Sequence, residues 1–253
     1  MATTWKLTLV EDDKDTAQWV HEEICGIIDG LEEDLSRFQP TSYIAQLARL
    51  PAGASFGVNP AVIEILNLAQ AMHRETFGAF DISVRPAQDG QAWPSMIDGF
   101  EAEAESLSVL VKKPDLKLDL GGIGKGFAID EIIEWLQSEA EVEHAFIDAG
   151  GSTMYALGNC PEGEAEGWPV NLGPETIIAL SGQALSASGF EVQGYHVTDP
   201  RTGLPAGKDR KRSWVFAQSA ALADALSTAA LVMTTEEIDQ FSLQHPEMTL
   251  MLV

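Results

Sequence analysis

Asp119-Leu120-Gly121-Gly122-Ile123-Gly124-Lys125-Gly126 runs straight into Phe127 to Leu136, where Ile129, Ile132, Ile133 and Leu136 recur at helical spacing. Ahead of it, Ser106 to Val111 and Leu116 to Leu120 read as two strands parted by a Lys113-Pro114-Asp115 turn. The segment therefore predicts strand, glycine-rich turn and helix. Glycines at such a junction let backbone N–H and C=O groups approach a ligand closely, and the helix N-terminus that follows favours anionic groups. Phosphate is the natural guess. Two familiar phosphate patterns nevertheless fail on single residues. A P-loop needs Ser or Thr where Gly126 stands, and the dinucleotide fingerprint needs Gly where Phe127 stands. A tight turn that uses glycine only for its backbone freedom explains the segment as well as a ligand cradle does.

Toward the N-terminus, Trp5 to Val10 alternates like a strand, and Val20, Ile24, Ile27, Leu31 and Leu35 mark an amphipathic helix from Asp15 onward. Asn59-Pro60 is a cap and first-turn pair, opening a second helix that ends near Gly78. Residues 87–105 are broken by Gly90, Pro94 and Gly99 and read as a loop or short irregular helix. Toward the C-terminus the chain is strand-rich, with runs at Ala145 to Ala149, Thr153 to Leu157, Val170 to Leu172, Thr176 to Leu180, Ala184 to Ser188 and Trp214 to Ala217. A helix over Ala220 to Met233, a shorter one near Glu236 to Leu243 and a last strand, Met248 to Val253, complete a mixed α+β layout. No internal repeat, low-complexity tract or flexible linker interrupts it, so residues 1–253 read as one domain.

The chain has 253 residues, 45% of them hydrophobic, enough for a sizeable core without disulfides. The two cysteines, Cys25 and Cys160, form no metal or redox motif. With 39 acidic against 15 basic residues, the formal charge of −24 repels phosphate backbones and anionic bilayers, which argues against nucleic acid as a partner. No apolar run is long enough to span a membrane, and Met1 to Val10 lacks a signal peptide's basic start and apolar stretch. A cytoplasmic location is the expectation for the chain as given, with a periplasmic or membrane-anchored one if a leader has been removed.

Two further constellations carry chemistry. In Ala223-Asp224-Ala225-Leu226-Ser227-Thr228, residues 224 and 228 are one helical turn apart, so a carboxylate and a hydroxyl share a face, as a hard cation such as Mg²⁺ requires. Two side-chain oxygens are too few, and a carbonyl, water or substrate phosphate must supply the rest. In Tyr195-His196-Val197-Thr198-Asp199-Pro200-Arg201-Thr202-Gly203, His196 and Asp199 could pair for proton transfer, while Asp-Pro-Arg-Thr-Gly is a good turn in its own right. Asp and Thr in a helix are more often capping or solvated residues, and a His beside a turn is usually structural.

Taken together and in order, these blocks resemble the ApbE-like FAD:protein FMN transferases. The resemblance runs over nearly the whole chain: Met1 to Thr3 and the first strand, Leu35-Ser36-Arg37-Phe38 to Ser42, Thr76-Phe77-Gly78-Ala79-Phe80-Asp81, Asp119 to Gly126, Gly150-Gly151, Ser188-Gly189, His196 to Gly203 and Ala223 to Thr228. It implies two closely packed lobes with FAD in the cleft between them and Mg²⁺ on the pyrophosphate. By matching position, Gly122, Asp224, Ser227 and Thr228 look like the metal site. Met1, Ala79, Phe80, Asp81, Asp119, Lys125, Ser188, Gly189 and Val197 look like FAD-lining positions, although Phe80 and Phe38 could equally be plain core. His196 with Asp199 is similar to the family's proton-transfer region. The implied reaction moves the FMN half of FAD onto a Thr or Ser hydroxyl of an acceptor flavoprotein, a subunit of a redox or electron-transfer complex, and releases AMP. FAD pyrophosphatase activity, a non-catalytic FAD-binding role and an acidic interaction domain are the competing readings. The sequence departs from the family pattern at Ala48-Arg49, at Ser152 and in the short Phe190 to Gly194 connection.

Overall fold

The structure is a computed structural model that describes residues 3–11, 13–83, 95, 97–161, 166–173, 176–189, 197–204 and 210–253. Strand β1 (Trp5–Leu9) leads to α1 (Lys14–Leu35), whose first turn is capped by the Asp13 carboxylate accepting from the Thr16 N–H. A short α2 (Tyr43–Leu47) and β2 (Ser55–Gly57) precede α3 (Pro60–Glu75). There the Asn59 side chain accepts from the Val62 N–H and Pro60 occupies the first turn, where no intrahelical bond is lost. Then come β3 (Phe100–Glu103), β4 (Ser108–Val111), α4 (Gly124–Ser138), β5 (Ala145–Ala149), β6 (Thr153–Leu157), β7 (Trp168–Gly173), β8 (Thr176–Leu180) and β9 (Gln183–Gly189). Strand β10 (Arg212–Ala217), α5 (Ala220–Ala229), α6 (Thr235–Gln244) and β11 (Thr249–Leu252) close the chain's order.

Six strands form an antiparallel sheet in the order β1-β5-β6-β9-β10-β11. Because side chains alternate along a strand, its two faces separate cleanly. Ala145, Ile147 and Ala149 of β5, Tyr155 and Leu157 of β6, Ala184 of β9 and Val215 and Ala217 of β10 join the main core with α1, α3, α4 and α5. Phe146, Met154, Ala156, Leu185, Trp214 and Phe216 point the other way, where the β7–β8 hairpin covers them with Trp168, Val170, Leu172 and Leu180. A second, three-stranded sheet of order β2-β4-β3 contributes Phe100, Val109 and Val111 to the main core. The α+β class and the long-helix and strand assignments hold.

Several local expectations do not. Among the described residues Leu116 to Leu120 forms no strand: Leu116, Leu118 and Leu120 are buried alternately, but there only Leu118 bridges a neighbour, Ser83. The period-two pattern there reports inward packing with no ladder beside it, Asp119 N–H donating instead to the Ile82 carbonyl. Helix α4 begins at Gly124 rather than Phe127, so the last glycines of the turn are its first turn. Of the break-rich stretch 87–105, residues 87–94 and 96 lie outside the described residues and Phe100–Glu103 form β3; α2 and β2 lie where no period was legible, and α5 stops at Ala229, short of Met233.

Candidate functional site

The site grows from the crossing of α4 and α5. Gly126, in the first turn of α4, lies so close to α5 that a Cβ there would overlap the Ala220 carbonyl oxygen. That approach brings the start of α4 against the second turn of α5. Helix α4 has no side-chain cap of its own; its N-cap residue is Ile123. The Asp224 carboxylate on α5 takes over that role: its Oδ2 accepts from the Gly126 N–H at 3.3 Å. A buried carboxylate at a helix N-terminus is favoured by the helix dipole and by orphan N–H groups.

Asp224 is only 3% exposed, and each oxygen has two donors. Oδ1 accepts from the Thr153 hydroxyl at 3.1 Å and the Lys125 ammonium at 3.2 Å, while Oδ2 accepts from Gly126 N–H and from Lys125 at 3.1 Å. Lys125 also reaches the Gly121 carbonyl at 3.4 Å. Beneath the carboxylate lies a chain of hydroxyls. Thr153 meets Ser186 at 3.1 Å, Ser186 meets Ser227 at 3.2 Å, and Ser188 meets Ser227 at 2.8 Å and Thr228 at 3.3 Å. Thr228 Oγ1 donates back to the Asp224 carbonyl at 3.3 Å, as helical spacing allows. On the other side, a Cβ at Gly122 would lie 3.7 Å from Thr228 Oγ1 and 3.4 Å from Phe80 Cε2, so the Gly122 backbone, Phe80 and Thr228 meet.

The glycine turn has an ordered rim. Asp119 Oδ1 accepts from the Gly121 N–H at 2.9 Å, and its Oδ2 is paired with Arg37 Nε at 2.8 Å. Arg37 in turn lies 4.1 Å over the ring of Phe38, which is 76% exposed and therefore not core. Phe80 and Ala79 are buried in the main core. Asp81 Oδ1 accepts from the Ser83 N–H at 2.7 Å and its Oδ2 lies 3.7 Å from His73 Nδ1, which contacts the Phe80 carbonyl at 2.8 Å. His73, Arg74, Phe77, Asp81 and Arg201 line an open cavity of about 400 Å³.

The Asp199–Gly203 turn faces that cavity. Asp199 binds its own turn, accepting from the Arg201 N–H and from the Arg201 guanidinium at 2.9 Å on each oxygen. Arg201 continues to Glu237 and the Val232 carbonyl, tying the turn to α6 and to the residues after α5. Val197 packs beside Leu231. Ser188 belongs to the hydroxyl chain, and Gly189 ends β9 against the Lys211 carbonyl. Met1, His196 and the Phe190 to Gly194 connection lie outside the described residues.

The structure thus brings together Gly122, Lys125, Ser188, Asp224, Ser227 and Thr228, with Asp119 and Phe80 at the turn's edge. It adds partners that spacing alone could not name. Thr153 and Ser186, both fully buried, carry the hydroxyl chain, and Arg37 holds Asp119. The only signal for Thr153 was a hydroxyl at an inward position of a strand. Asp130 on α4 caps α5 in return, accepting from Ser219 Oγ at 2.7 Å, Ala220 N–H at 2.7 Å and Ala221 N–H at 2.9 Å.

Against known proteins, the profile of the ApbE family matches residues 1–252. The chain belongs to the ApbE family. Among relatives, "FAD:protein FMN transferase" of Klebsiella pneumoniae (strain 342) is 24% identical over 95% of this chain and 78% of its own length. The protein of the same name from Escherichia coli (strain K12) is 25% identical over 94% and 77%. Two solved structures of ApbE proteins share the fold. The flavin transferase ApbE from Vibrio cholerae has a TM-score of 0.84 at 20% identity, covering 100% of this chain and 90% of that one. The Pseudomonas stutzeri flavinyl transferase ApbE has 0.81 at 21% identity, covering 98% and 90%.

The donors around Asp224 suit the cation that the resemblance implies. They are a carboxylate, hydroxyls and nearby carbonyls, all hard oxygens of the kind Mg²⁺ takes. The described residues contain no group of three or more His, Cys, Asp or Glu placed for a metal. A single carboxylate supplemented by substrate phosphate and water is the commoner magnesium arrangement. The Lys125 ammonium, held against both Asp224 oxygens, marks the position as one that accepts positive charge.

Proposed function

We propose that the chain is a magnesium-dependent FAD:protein FMN transferase, moving FMN from FAD to a Thr or Ser hydroxyl of an acceptor flavoprotein and releasing AMP. The observation that carries this reading is the buried Asp224 carboxylate, set one turn from Thr228 and against the glycine turn and the Lys125 ammonium. A protein that merely stores FAD has no need of a cation-accepting carboxylate at a pyrophosphate cradle. Family membership and the names of the relatives supply the substrate class.

Asp224, Thr228, Ser227 and the Gly122 carbonyl would hold the metal, with Ser227 acting through its hydrogen bonds to Ser186 and Ser188. When bound there, Mg²⁺ neutralises charge on the pyrophosphate and on the departing AMP. The chain's own groups do the rest. The N-terminus of α4 and Lys125 would face the phosphates, Asp119 holds the edge of the glycine turn, Asp81 lines the open cavity, and the core-packed Phe80 fixes the wall behind Gly122. The acceptor oxygen attacks the FMN phosphorus, the bond from that phosphorus to the AMP oxygen breaks, and the hydroxyl proton passes to His196. Asp199, bound by Arg201, fixes the turn that begins three positions after His196 in the sequence.

The deciding experiment incubates the protein with FAD and Mg²⁺, with and without a flavin-acceptor domain. Protein-bound flavin fluorescence, together with one AMP per flavin, is the expected result. Free FMN plus AMP irrespective of acceptor would make the chain an FAD pyrophosphatase, and intact FAD would make it a binder. His196→Ala should slow single-turnover transfer by about 10²–10⁴ with FAD affinity nearly unchanged.

A further inference from the structure

A carboxylate offers about four lone-pair directions, and on Asp224 all four are in use. Thr153 and Gly126 N–H take one on each oxygen, and Lys125 takes the other on both. A metal ion that ligates Asp224 must therefore replace one of these donors. Thr153 is fully buried in β6, and the Gly126 N–H is backbone in a helix locked against Ala220, so neither can leave. Lys125 differs from both. Its ammonium is a point charge on a flexible four-carbon stem, and its side chain is 23% exposed.

We infer that Lys125 is a resident counter-ion that Mg²⁺ must displace, and that it makes metal binding conditional on FAD. The inference rests on the metal reading of Asp224. With no phosphate present, moving Lys125 off Asp224 leaves an ammonium without its anionic partner, and the exchange of one cation for another gains little. With the FAD pyrophosphate at the start of α4, whose first turn carries Lys125, the displaced ammonium meets new negative charge. Metal and dinucleotide then bind with positive coupling, which by linkage is the same whichever binds first. The arrangement keeps the carboxylate neutralised at every stage, because a buried charge without a partner is strongly destabilising.

Calorimetric titration of Mg²⁺ into the whole protein tests this without any reliance on turnover. Wild-type protein should bind Mg²⁺ weakly alone and about 5- to 150-fold more tightly with saturating FAD, the usual span of coupling between sites. Lys125→Met, which keeps the stem and removes the charge, should bind Mg²⁺ about tenfold more tightly than wild type in the absence of FAD. Lys125→Gln gives the same reading if the Met variant fails to fold, judged by its circular dichroism. Affinity for Mg²⁺ alone that is equal to or weaker than wild type in a folded charge-removed variant would overturn the exchange while leaving the metal reading intact. The double variant Asp224→Asn with Lys125→Met should lose the gain. If it binds Mg²⁺ as tightly as Lys125→Met, the metal lies elsewhere, and both the reading and the inference fall.

Discussion

Helices α4 and α5 exchange carboxylates: Asp224 of α5 caps the start of α4, and Asp130 of α4 caps the start of α5. The two corners use the same physics, a carboxylate at orphan N–H groups favoured by the helix dipole. They differ in what else faces the acid. Asp130 has three neutral donors, and burial pushes its carboxyl above the ordinary range despite them. Asp224 has an ammonium on both oxygens and a hydroxyl chain leading to Thr228. A cap needs only N–H groups and a hydroxyl, so the extra cation and hydroxyls at Asp224 suit a second task, whereas among the described residues Asp130 has the equipment of a cap and nothing beyond it.

Charge removal at the two corners should break them differently. Asp224→Asn retains an oxygen for the Gly126 N–H but loses the anion, so FMN transfer should fall by about 10³, equivalent to roughly 4 kcal/mol of barrier. Asp130→Asn should leave single-turnover rates within a few-fold and show its cost in chemical denaturation, at about 1–2 kcal/mol for a lost cap bond. If the two variants lost activity equally, the corners would not have divided their roles. Gly126→Ala attacks both corners together, since the added Cβ overlaps the Ala220 carbonyl. Overpacking of this kind costs about 1–3 kcal/mol, and here it should lower stability and metal affinity in one variant. A Gly126→Ala protein of unchanged melting temperature would mean that α4 and α5 can part without consequence.

The Asp224 corner was half legible in the sequence. Asp224 and Thr228 stand one turn apart within a single helix, and Lys125 stands in a glycine run before another, so local spacing finds each. What joins them is not local. Thr153 meets Asp224 across 71 positions, and Asp130 meets Ala221 across 91, so no periodicity within either segment predicts the pairing. Patterning misled where burial imitates a strand, as in Leu116 to Leu120, and stayed silent where elements are too short to show a period, as in β2 and α2. The long amphipathic helices and the alternating strands of the six-stranded sheet were readable, because each presents a continuous apolar face. Thr153→Val probes the non-local part directly. It keeps the shape and removes one donor to Asp224, and a lost bond of this kind contributes roughly 1–2 kcal/mol. Mg²⁺ affinity in the presence of FAD should change several-fold while the sheet stays intact.

The smallest effect separates the corners by pH. Burial raises the Asp130 carboxyl above its ordinary value of 3.8 in the folded protein, with the hydrogen bonds from Ser219, Ala221 and Ala220 opposing it. Between the ordinary value and the raised one, the folded chain holds a proton that the unfolded chain has released, so stability falls as pH rises through that window. The contribution is fully present below 3.8 and is lost as pH climbs through the folded value. Asn at position 130 does not titrate. The melting temperature of wild type minus that of Asp130→Asn should therefore be largest at the acid end and shrink toward neutral pH, at roughly 2–4 °C per kcal/mol for a chain of this length. Glu131, whose carboxyl is raised by burial first and then by the charges of Glu64, Glu134 and Asp130, will broaden the transition. A difference that instead grows with pH would mean that the α5 N-terminus outweighs burial at Asp130. The three neutral donors at Asp130 would then be enough to hold that buried carboxylate ionised, and a cation beside the acid would no longer separate the Asp224 corner from a plain cap.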